Sequence, residues 1–412
     1  MPYLSRPALT ACLHKAGLIG AAAVATGTAG AFFLWSLDAV TRLRFAHPGL
    51  LWALPAIGFG MAWLYLKAGP RAERGTGLIL DEIHQPGGGV PARMAPLILL
   101  GTLATHLGGG SAGREGTAMQ MGGSLAGTIG HWGKAAQHQY PGLLMAGVAA
   151  GFGAVFGTPW AGAVFALEVS RHPMGRWKEW PWCLAAALLA DRVCQAWGGH
   201  HAAWQVGGTF PLTDFGAWGK VGLAAICFGL LARAFVVSTH GVQGLLKRYV
   251  AWSPLRPVLG GLVVIGLVWV SGTRDYLGLG TLAATPDSMV LGSFFQDGAS
   301  LPSSSWAWKF AFTVMTVGCG FKGGEVTPLF FMGAALGYTL SGLLGLPSAW
   351  LAALGFAAVF GAAARTPAAC FLMGVELFGP SLALPMAAAC GVAALCNGRG
   401  LYHAAPLTKP GP

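Results

Sequence analysis

Long segments without charge are the feature that most constrains how this chain folds. A helix that crosses a bilayer needs about 20 consecutive, mainly apolar residues. Among the segments that contain no Asp, Glu, Lys or Arg are 16–37, 45–66, 135–167, 257–273, 326–364 and 377–398. We therefore expect an all-α polytopic membrane protein that crosses the bilayer many times.

The charge content supports a membrane location and argues against nucleic-acid binding. Charged residues make up 9% of the 412 residues, against roughly a quarter in a soluble globular protein. The net charge of +11 comes from Lys and Arg that stand singly between apolar segments, where they meet anionic head groups, rather than in a basic stripe. We expect a multi-pass protein of the plasma (inner) membrane that contacts the lipid bilayer and has no nucleic-acid partner.

The glycine content predicts the shape of the helices. The chain has 65 glycines, and Gly with Ala allows helices to pack closely inside lipid. Gly and Pro also interrupt helices, which is tolerated at membrane depth only where protein or a cavity shields the freed backbone. Many of the helices should therefore be short, tilted or broken.

The sequence contains an internal repeat. GREGT at 113–117 matches GGEVT at 323–327, and GFGAVFG at 151–157 matches GFAAVFG at 355–361. The matches occur in the same order and at similar offsets. Repeats of this kind are common in transporters, where the binding site lies at their interface and broken helices point their N-termini at anionic substrates.

A second pair of matches extends the repeat. Each GFxAVFG segment is followed by a Thr-Pro pair, and a glutamate, Glu168 or Glu376, lies nine residues after each proline. We expect hydrogen bonds to backbone, or packing, for these two glutamates. The repeats predict two halves of about 14–200 and 216–402 within a single membrane transport domain, 1–412, without a soluble regulatory domain.

Glu115 is a carboxylate among small and apolar neighbours in GGSAGREGTAMQMGG at 109–123. A Gly-rich turn that opens a helix, here from Thr117 onward, leaves backbone N–H groups free to bind an anion. The Glu115 carboxylate itself is able to occupy such a site, and an ionisable residue at membrane depth indicates function. The alternative is that Glu115 caps its helix or pairs with Arg114.

One motif in the same stretch suggests a different chemistry. Ser111 in GGSAG matches the G-x-S-x-G pattern of serine hydrolases, but that pattern requires a strand-turn-helix and a catalytic base, and His106 is not marked as one. The chain has no HExxH, and its cysteines form no CxxC pair. We therefore expect no catalytic residue, metal site or cofactor, and keep an intramembrane serine hydrolase as a remote alternative.

GREGT and GGEVTP in a two-repeat membrane protein resemble the CLC superfamily, whose helix-terminal motifs usually read GSGIP, GREGP and GxFxP. Here Thr117 replaces the proline of the second motif, and Glu325, Val326 and Thr327 replace the usual Ile, Phe and Ala of the third. The first motif is poorly kept, and RGTGLILDE at 74–82 places Thr76 where the usual serine binds chloride. The resemblance covers essentially the whole chain and implies the CLC fold of two inverted-topology repeats.

These departures are similar to the fluoride-exporting branch of the superfamily, CLC-F. The resemblance implies that Glu115 is the gating glutamate and that Glu325 is a second acid tied to proton coupling. Val169 stands where ordinary CLC antiporters have their internal acid, so the usual inner proton route is absent. The residues implied to form the anion site are Thr76, Gly113, Arg114, Gly116, Thr117, Val326, Thr327 and Tyr402.

The sequence therefore predicts a proton-coupled fluoride exporter that is not an enzyme. Its substrates are fluoride and protons, and the resemblance implies a homodimer. The alternative function is a CLC-type chloride channel or chloride/proton exchanger.

Overall fold

The computed structural model describes residues 6–170, 174–201, 204, 206–296, 298–398 and 400–402. In this part of the chain the structure consists of helices, connecting loops and one isolated antiparallel bridge, which confirms the all-α prediction. The α-helices are α1 (Arg6–Ala46), α2 (Leu54–Ala68), α3 (Thr76–His84), α4 (Met94–Leu107), α5 (Glu115–Trp132), α6 (Tyr140–Phe156), α7 (Pro159–Val169), α8 (Trp180–Ala196), α9 (Phe215–Tyr249), α10 (Leu255–Ser271), α11 (Ser305–Gly318), α12 (Val326–Leu344), α13 (Ser348–Ala364), α14 (Pro367–Phe378) and α15 (Ala383–Leu395). Short 3₁₀ helices are Pro48–Ala53, Ala72–Arg74, Met174–Glu179, Leu291–Phe295 and Pro380–Leu382.

Helix lengths differ widely, as expected for a membrane domain built from broken helices. α1 has 41 residues and α9 has 35, which at 1.5 Å per residue gives lengths of about 60 and 50 Å. Both exceed the hydrocarbon thickness of about 30 Å, so these helices tilt or project beyond it. Four helical segments of the described chain are long and apolar enough to cross a membrane: Leu9–Ala46, Pro48–Ala68, Phe215–Tyr249 and Val326–Leu344.

The shortest helices arise where the repeated Thr-Pro pairs interrupt the chain. α6 ends at Gly157, whose left-handed backbone (φ +75°) closes the helix, and Pro159 starts the 11-residue α7. α13 ends in the same way at Arg365 (φ +59°), and Pro367 starts the 12-residue α14. A helix of this length covers less than 20 Å and does not cross the bilayer alone.

Helix contacts within the two halves are duplicated. α1 packs on α6 and α8, and α9 packs in the same way on α13 and α15. The α5–α6 pair likewise corresponds to the α12–α13 pair, whereas α7 and α14 pack on each other across the halves. The helices that carry the two Glu motifs, α5 and α12, therefore occupy equivalent positions.

The cross-half contact of α7 and α14 confirms the backbone role predicted for two glutamates. The Glu168 carboxylate accepts hydrogen bonds from the amides of Ala368 and Ala369, at 3.2 and 2.7 Å. The Glu376 carboxylate accepts from the amides of Trp160 and Ala161, at 3.1 and 2.9 Å. Each acid near the end of one helix caps the start of the other, so α7 and α14 run antiparallel.

Glycines set how closely the motif helices approach their neighbours. A Cβ atom on Gly122 of α5 would run into the carbonyl of Gly147 on α6, and one on Gly333 of α12 would run into the carbonyl of Gly355 on α13. Small residues at such crossings allow close helix packing inside lipid. These two crossings fix the positions of α5 and α12, and hence of the motifs at their starts.

Candidate anion site

The two Glu motifs meet at the starts of α5 and α12. The Gly113 amide donates to the Gly324 carbonyl at 2.5 Å, and the Gly324 amide donates to the Gly113 carbonyl at 2.8 Å. A Cβ atom on Gly324 would lie 2.8 Å from the Gly116 nitrogen, and one on Gly113 would lie 3.0 Å from the Thr327 nitrogen. Glycine is therefore required for the two helix starts to come this close.

The Glu115 side chain lies at the N-terminus of α12, in the other half of the chain. Its carboxylate accepts from the Thr327 amide at 3.2 Å and from the Thr327 hydroxyl at 2.8 and 2.6 Å. Thr327 is in the first turn of α12, where amides have no partner within the helix and the helix dipole adds partial positive charge. The carboxylate is fully buried and occupies an anion-binding helix end.

Arg114 contributes to the same contact. Its backbone amide donates to the Glu115 carboxylate at 3.3 Å, and its Nε lies 3.5 Å from Glu115 Oε1. The sequence left open whether Glu115 pairs with Arg114. The structure shows this pairing together with the contact between Glu115 and Thr327. α5 begins at Glu115 rather than at Thr117, because Glu115 and Gly116 already have helical backbone.

A cavity of about 590 Å³, which we name the Glu325 cavity, brings three predicted site residues together. It is lined by Thr76, Glu325 and Tyr402, with Gln120 of α5 and Lys322 among its other walls. Thr76 is the first residue of α3, so the start of a third helix faces the same space as the loop before α12.

Tyr402 has an unsatisfied hydroxyl group. The residue is buried, and its hydroxyl makes no hydrogen bond with the described part of the chain. A buried hydroxyl without a partner is costly unless a ligand or water completes it. Tyr402 is also one of the residues that line the Glu325 cavity, so the unsatisfied hydroxyl belongs to a wall of that cavity.

Glu115 and Thr327 line a second, smaller cavity of about 180 Å³, the Glu115 cavity. Phe156 and Phe330, whose ring centroids lie 5.1 Å apart, form part of its apolar wall. The sequence did not predict Asp38 and His200, two titratable residues that also line this cavity. They lie far from both Glu motifs in the chain, so only the tertiary structure identifies them.

The remaining predicted site residues differ in whether their backbone or their side chain lies at the site. Gly113 and Gly116 act through the close approach of their backbone, and Val326 is the first residue of α12 and is buried. The Thr117 hydroxyl lies 2.6 Å from the Thr102 hydroxyl on α4. Thr117 therefore faces a neighbouring helix, and its side chain does not line either cavity.

The arrangement around Ser111 gives no support to a hydrolase. Ser111 is fully buried, and its hydroxyl lies 2.9 Å from that of Thr313 while its amide donates to Thr316. Both ring nitrogens of His106 lie within hydrogen-bond distance of backbone carbonyls, of Thr102 and Ala112. Among the described residues, Ser111 is therefore not an exposed nucleophile, and the nearby His106 is already engaged with backbone carbonyls.

Comparisons with known proteins identify a matching family and similar proteins. The family model described as "Voltage gated chloride channel" matches residues 57–398. A "Chloride/fluoride channel protein" of Pseudomonas syringae pv. tomato is 43% identical over 407 residues, which cover 98% of this chain and 87% of that protein.

Two solved structures are similar over nearly the whole chain. A CLC-type fluoride/proton antiporter superposes with a TM-score of 0.89 and 32% sequence identity, covering 97% of this chain and 98% of that one. A slow cyanobacterial Cl⁻/H⁺ antiporter has a TM-score of 0.81, with coverage of 94% and 96%; at 20% identity it supports the fold alone.

Proposed function

The chain belongs to the voltage gated chloride channel family, and from this premise we propose that it is a proton-coupled fluoride exporter of the plasma (inner) membrane. The resemblance to the CLC superfamily and the CLC-type fold predicted from the sequence are confirmed. One similar protein is named for chloride and fluoride, and another is described as a fluoride/proton antiporter. These descriptions support fluoride and the proton as the substrates of this chain.

One observation carries the proposal: the Glu115 carboxylate occupies the N-terminus of α12 across the repeat interface. While the carboxylate is ionised, it takes the position that a small anion needs at the Thr327 amide and hydroxyl. When it is protonated it loses most of its attraction to these donors, and the anion replaces it. Alternation of one carboxylate with one anion links anion movement in one direction to proton movement in the other.

The donors fit a small, strongly hydrated anion. Fluoride leaves water only where close N–H and O–H groups replace its hydration shell. Thr327 supplies both kinds of donor, and the free Tyr402 hydroxyl and Thr76 add further groups in the Glu325 cavity. We assign the anion route to these residues together with Gly113, Arg114, Gly116 and Val326.

The two cavities correspond to the two ends of one pathway. Lys247, near the end of α9 and just before α10, lines the Glu325 cavity, and Thr281, beyond the end of α10, lines the Glu115 cavity. The 17 residues of α10 span about 25 Å, close to the thickness of the hydrocarbon core. We propose that Glu325 exchanges protons with one side and Glu115 with the other, while the docked Glu115 closes the pathway between them.

We also propose a single transport domain of two inverted repeats, about 14–200 and 216–402, assembled as a homodimer. The antiparallel α7–α14 contact supports the inversion. Glu168 and Glu376 are only partly buried on these helices, and a carboxylate is costly against lipid. A second copy that covers this surface removes the cost, which predicts a dimer mass for the purified protein in detergent.

A flux experiment tests the proposed function. Proteoliposomes loaded with fluoride are followed with an external fluoride electrode and an internal pH dye. We expect protons to enter as fluoride leaves, and we expect Glu115→Gln to abolish proton movement because glutamine cannot carry the proton. Proton entry that persists in Glu115→Gln contradicts the role of Glu115.

Glu82→Gln is the matched control. Glu82 is also buried and accepts from two backbone amides, those of Gly87 and Gly88, but it lies outside both motifs. Coupled transport should persist in this variant. If Glu82→Gln stops proton movement as fully as Glu115→Gln does, the effect reflects the loss of any buried carboxylate.

The second candidate is a CLC-type chloride channel or chloride/proton exchanger, since the Pseudomonas relative is named a channel for chloride as well as fluoride. The same proteoliposomes separate these functions. A channel passes fluoride without proton movement, and a chloride exchanger drives protons with chloride but not with fluoride.

A further inference from the structure

Arg44 is a buried cation that the proposed function does not use. It lies near the end of α1 and is 8% exposed. Its Nε is enclosed and has no hydrogen-bond partner in the described chain. The guanidinium lies over the adjacent Phe45 ring, whose centroid is 4.9 Å away.

The Arg44 guanidinium faces a cavity of about 250 Å³, which we name the Arg44 cavity. The walls include Arg274, Asp275 and Ser288, together with Leu277 and Met289. Arg274 is exposed and donates to the Pro48 carbonyl at 3.2 Å. Asp275 lies on the wall, but it makes no ion pair within 4.0 Å of either arginine.

A second buried cation uses the backbone carbonyls beside Arg44. Lys309 is fully buried in α11, and its Nζ donates to the carbonyls of Tyr276 at 3.0 Å and Gly278 at 2.8 Å. A Cβ atom on Gly278 would lie 3.1 Å from Arg44 Nη2, so this backbone passes directly beside the guanidinium. Its carbonyl is nevertheless bonded to Lys309, and two cations share the region.

We propose that the Arg44 cavity binds a small inorganic anion, specifically a free halide, with Arg44 as its principal ligand. A buried charge without a partner strongly destabilises a fold, and a bound anion would remove this penalty for Arg44. A cavity of about 250 Å³ holds a halide with several waters, each of which takes about 30 Å³. The guanidinium donates in a plane and retains its charge at any pH of interest.

The position of the site gives it a place in transport. Leu282 lines both the Arg44 cavity and the Glu115 cavity, so the two spaces adjoin. A halide at Arg44 therefore lies next to the end of the pathway that Glu115 closes. This site is separate from the Thr327 amide and goes beyond the proposed function, because it requires only that a halide reach the cavity.

Bromide crystals test the proposal directly, because bromide replaces a halide and scatters anomalously. We expect an anomalous peak in the Arg44 cavity of the full chain, within contact distance of the guanidinium, and its loss in Arg44→Gln. Arg42→Gln is the matched control. Arg42 lies two residues earlier on α1, is exposed and does not line the Arg44 cavity, so the bromide peak in this cavity should persist in Arg42→Gln.

Two outcomes overturn the proposal. One is an empty Arg44 cavity in crystals that show bromide elsewhere, and the other is a peak that survives in Arg44→Gln. A lipid phosphate bound to Arg44 in place of bromide also overturns the assignment to a free halide, although it would still be an anion. The result is independent of the flux assay, so a failed exporter and a failed Arg44 site are distinguished.

A second variant keeps the test valid if Arg44→Gln does not fold. Ala284 is exposed and lines the Arg44 cavity, so Ala284→Glu supplies a tethered carboxylate beside the guanidinium. We expect the bromide peak to disappear in Ala284→Glu and to persist in Ala284→Gln, which has the same size and no charge. Equal bromide occupancy in the two variants contradicts a site built on the charge of Arg44.

Discussion

Gly324→Ala tests whether the close approach of the two motifs is needed for transport. An added Cβ would lie 2.8 Å from the Gly116 nitrogen, whereas ordinary contact begins at 3.4 Å. The start of α12 must therefore move from α5 by about 0.6 Å, because the atom opposite is backbone and cannot rotate away. That shift carries the Thr327 amide from 3.2 Å to outside hydrogen-bond range of Glu115, while the shorter hydroxyl contact survives.

The expected loss follows from the hydrogen bond removed. A hydrogen bond to a charged group contributes about 1.5–3 kcal/mol, which corresponds to roughly 10- to 150-fold in an equilibrium constant. The docked carboxylate and the anion that replaces it both use the Thr327 amide, so both states are destabilised relative to the unbound site. We expect the fluoride-driven turnover of Gly324→Ala to fall about tenfold or more.

The assay compares fluoride efflux and proton entry in proteoliposomes with the monodispersity of the same preparation in detergent. Gly342→Ala is the control, because Gly342 lies in α12 with nothing within 4 Å of an added Cβ. A monodisperse Gly324→Ala protein with wild-type turnover would refute the reasoning. Equal loss in Gly342→Ala would show that any added methyl group in α12 is harmful.

Three further predictions concern packing, the free hydroxyl and the reciprocal caps. Gly333→Ala should lower the free energy of unfolding by about 1–3 kcal/mol, because its Cβ meets the carbonyl of Gly355 at the α12–α13 crossing; thermal unfolding in detergent measures this. Tyr402→Phe should leave thermal stability within about 0.5 kcal/mol of wild type, since no hydrogen bond is lost, yet raise the KM for fluoride; an unchanged KM would remove Tyr402 from the anion route. Glu376→Ala should lower the free energy of unfolding by about 0.5–2 kcal/mol, because α7 loses its cap, and the proton-to-fluoride ratio of transport should stay unchanged. A changed ratio would place Glu376 in the proton route.

Local features of the sequence predicted much of the fold. Uncharged segments of membrane-spanning length established the helical class, and the abundance of Gly and Pro predicted short and broken helices, such as α7 and α14, which start at the Thr-Pro pairs. The repeat placed Glu168 and Glu376 at equivalent positions, and their predicted backbone hydrogen bonds are confirmed. These features were readable because propensity, hydropathy and turn chemistry act over a few neighbouring residues.

Local sequence patterns could not predict other parts of the site. Thr117 looked like an anion ligand from its motif, but the packing of α4 against α5 gives its hydroxyl to Thr102. Arg44 looked like one of many lysines and arginines beside membrane spans. Only the fold shows that the residue is buried and that its Nε has no hydrogen-bond partner, because burial depends on helices that are distant in the chain.

The sequence by itself determined a helical membrane domain, its duplication and the two acids at equivalent helix starts. The tertiary structure alone decided that Glu115 binds the amide of Thr327, 212 residues away, in addition to the amide of the adjacent Arg114. The reason is geometric. A carboxylate reaches whichever free helix end lies within a few ångströms, and that depends on how the glycine crossings place α5 and α12.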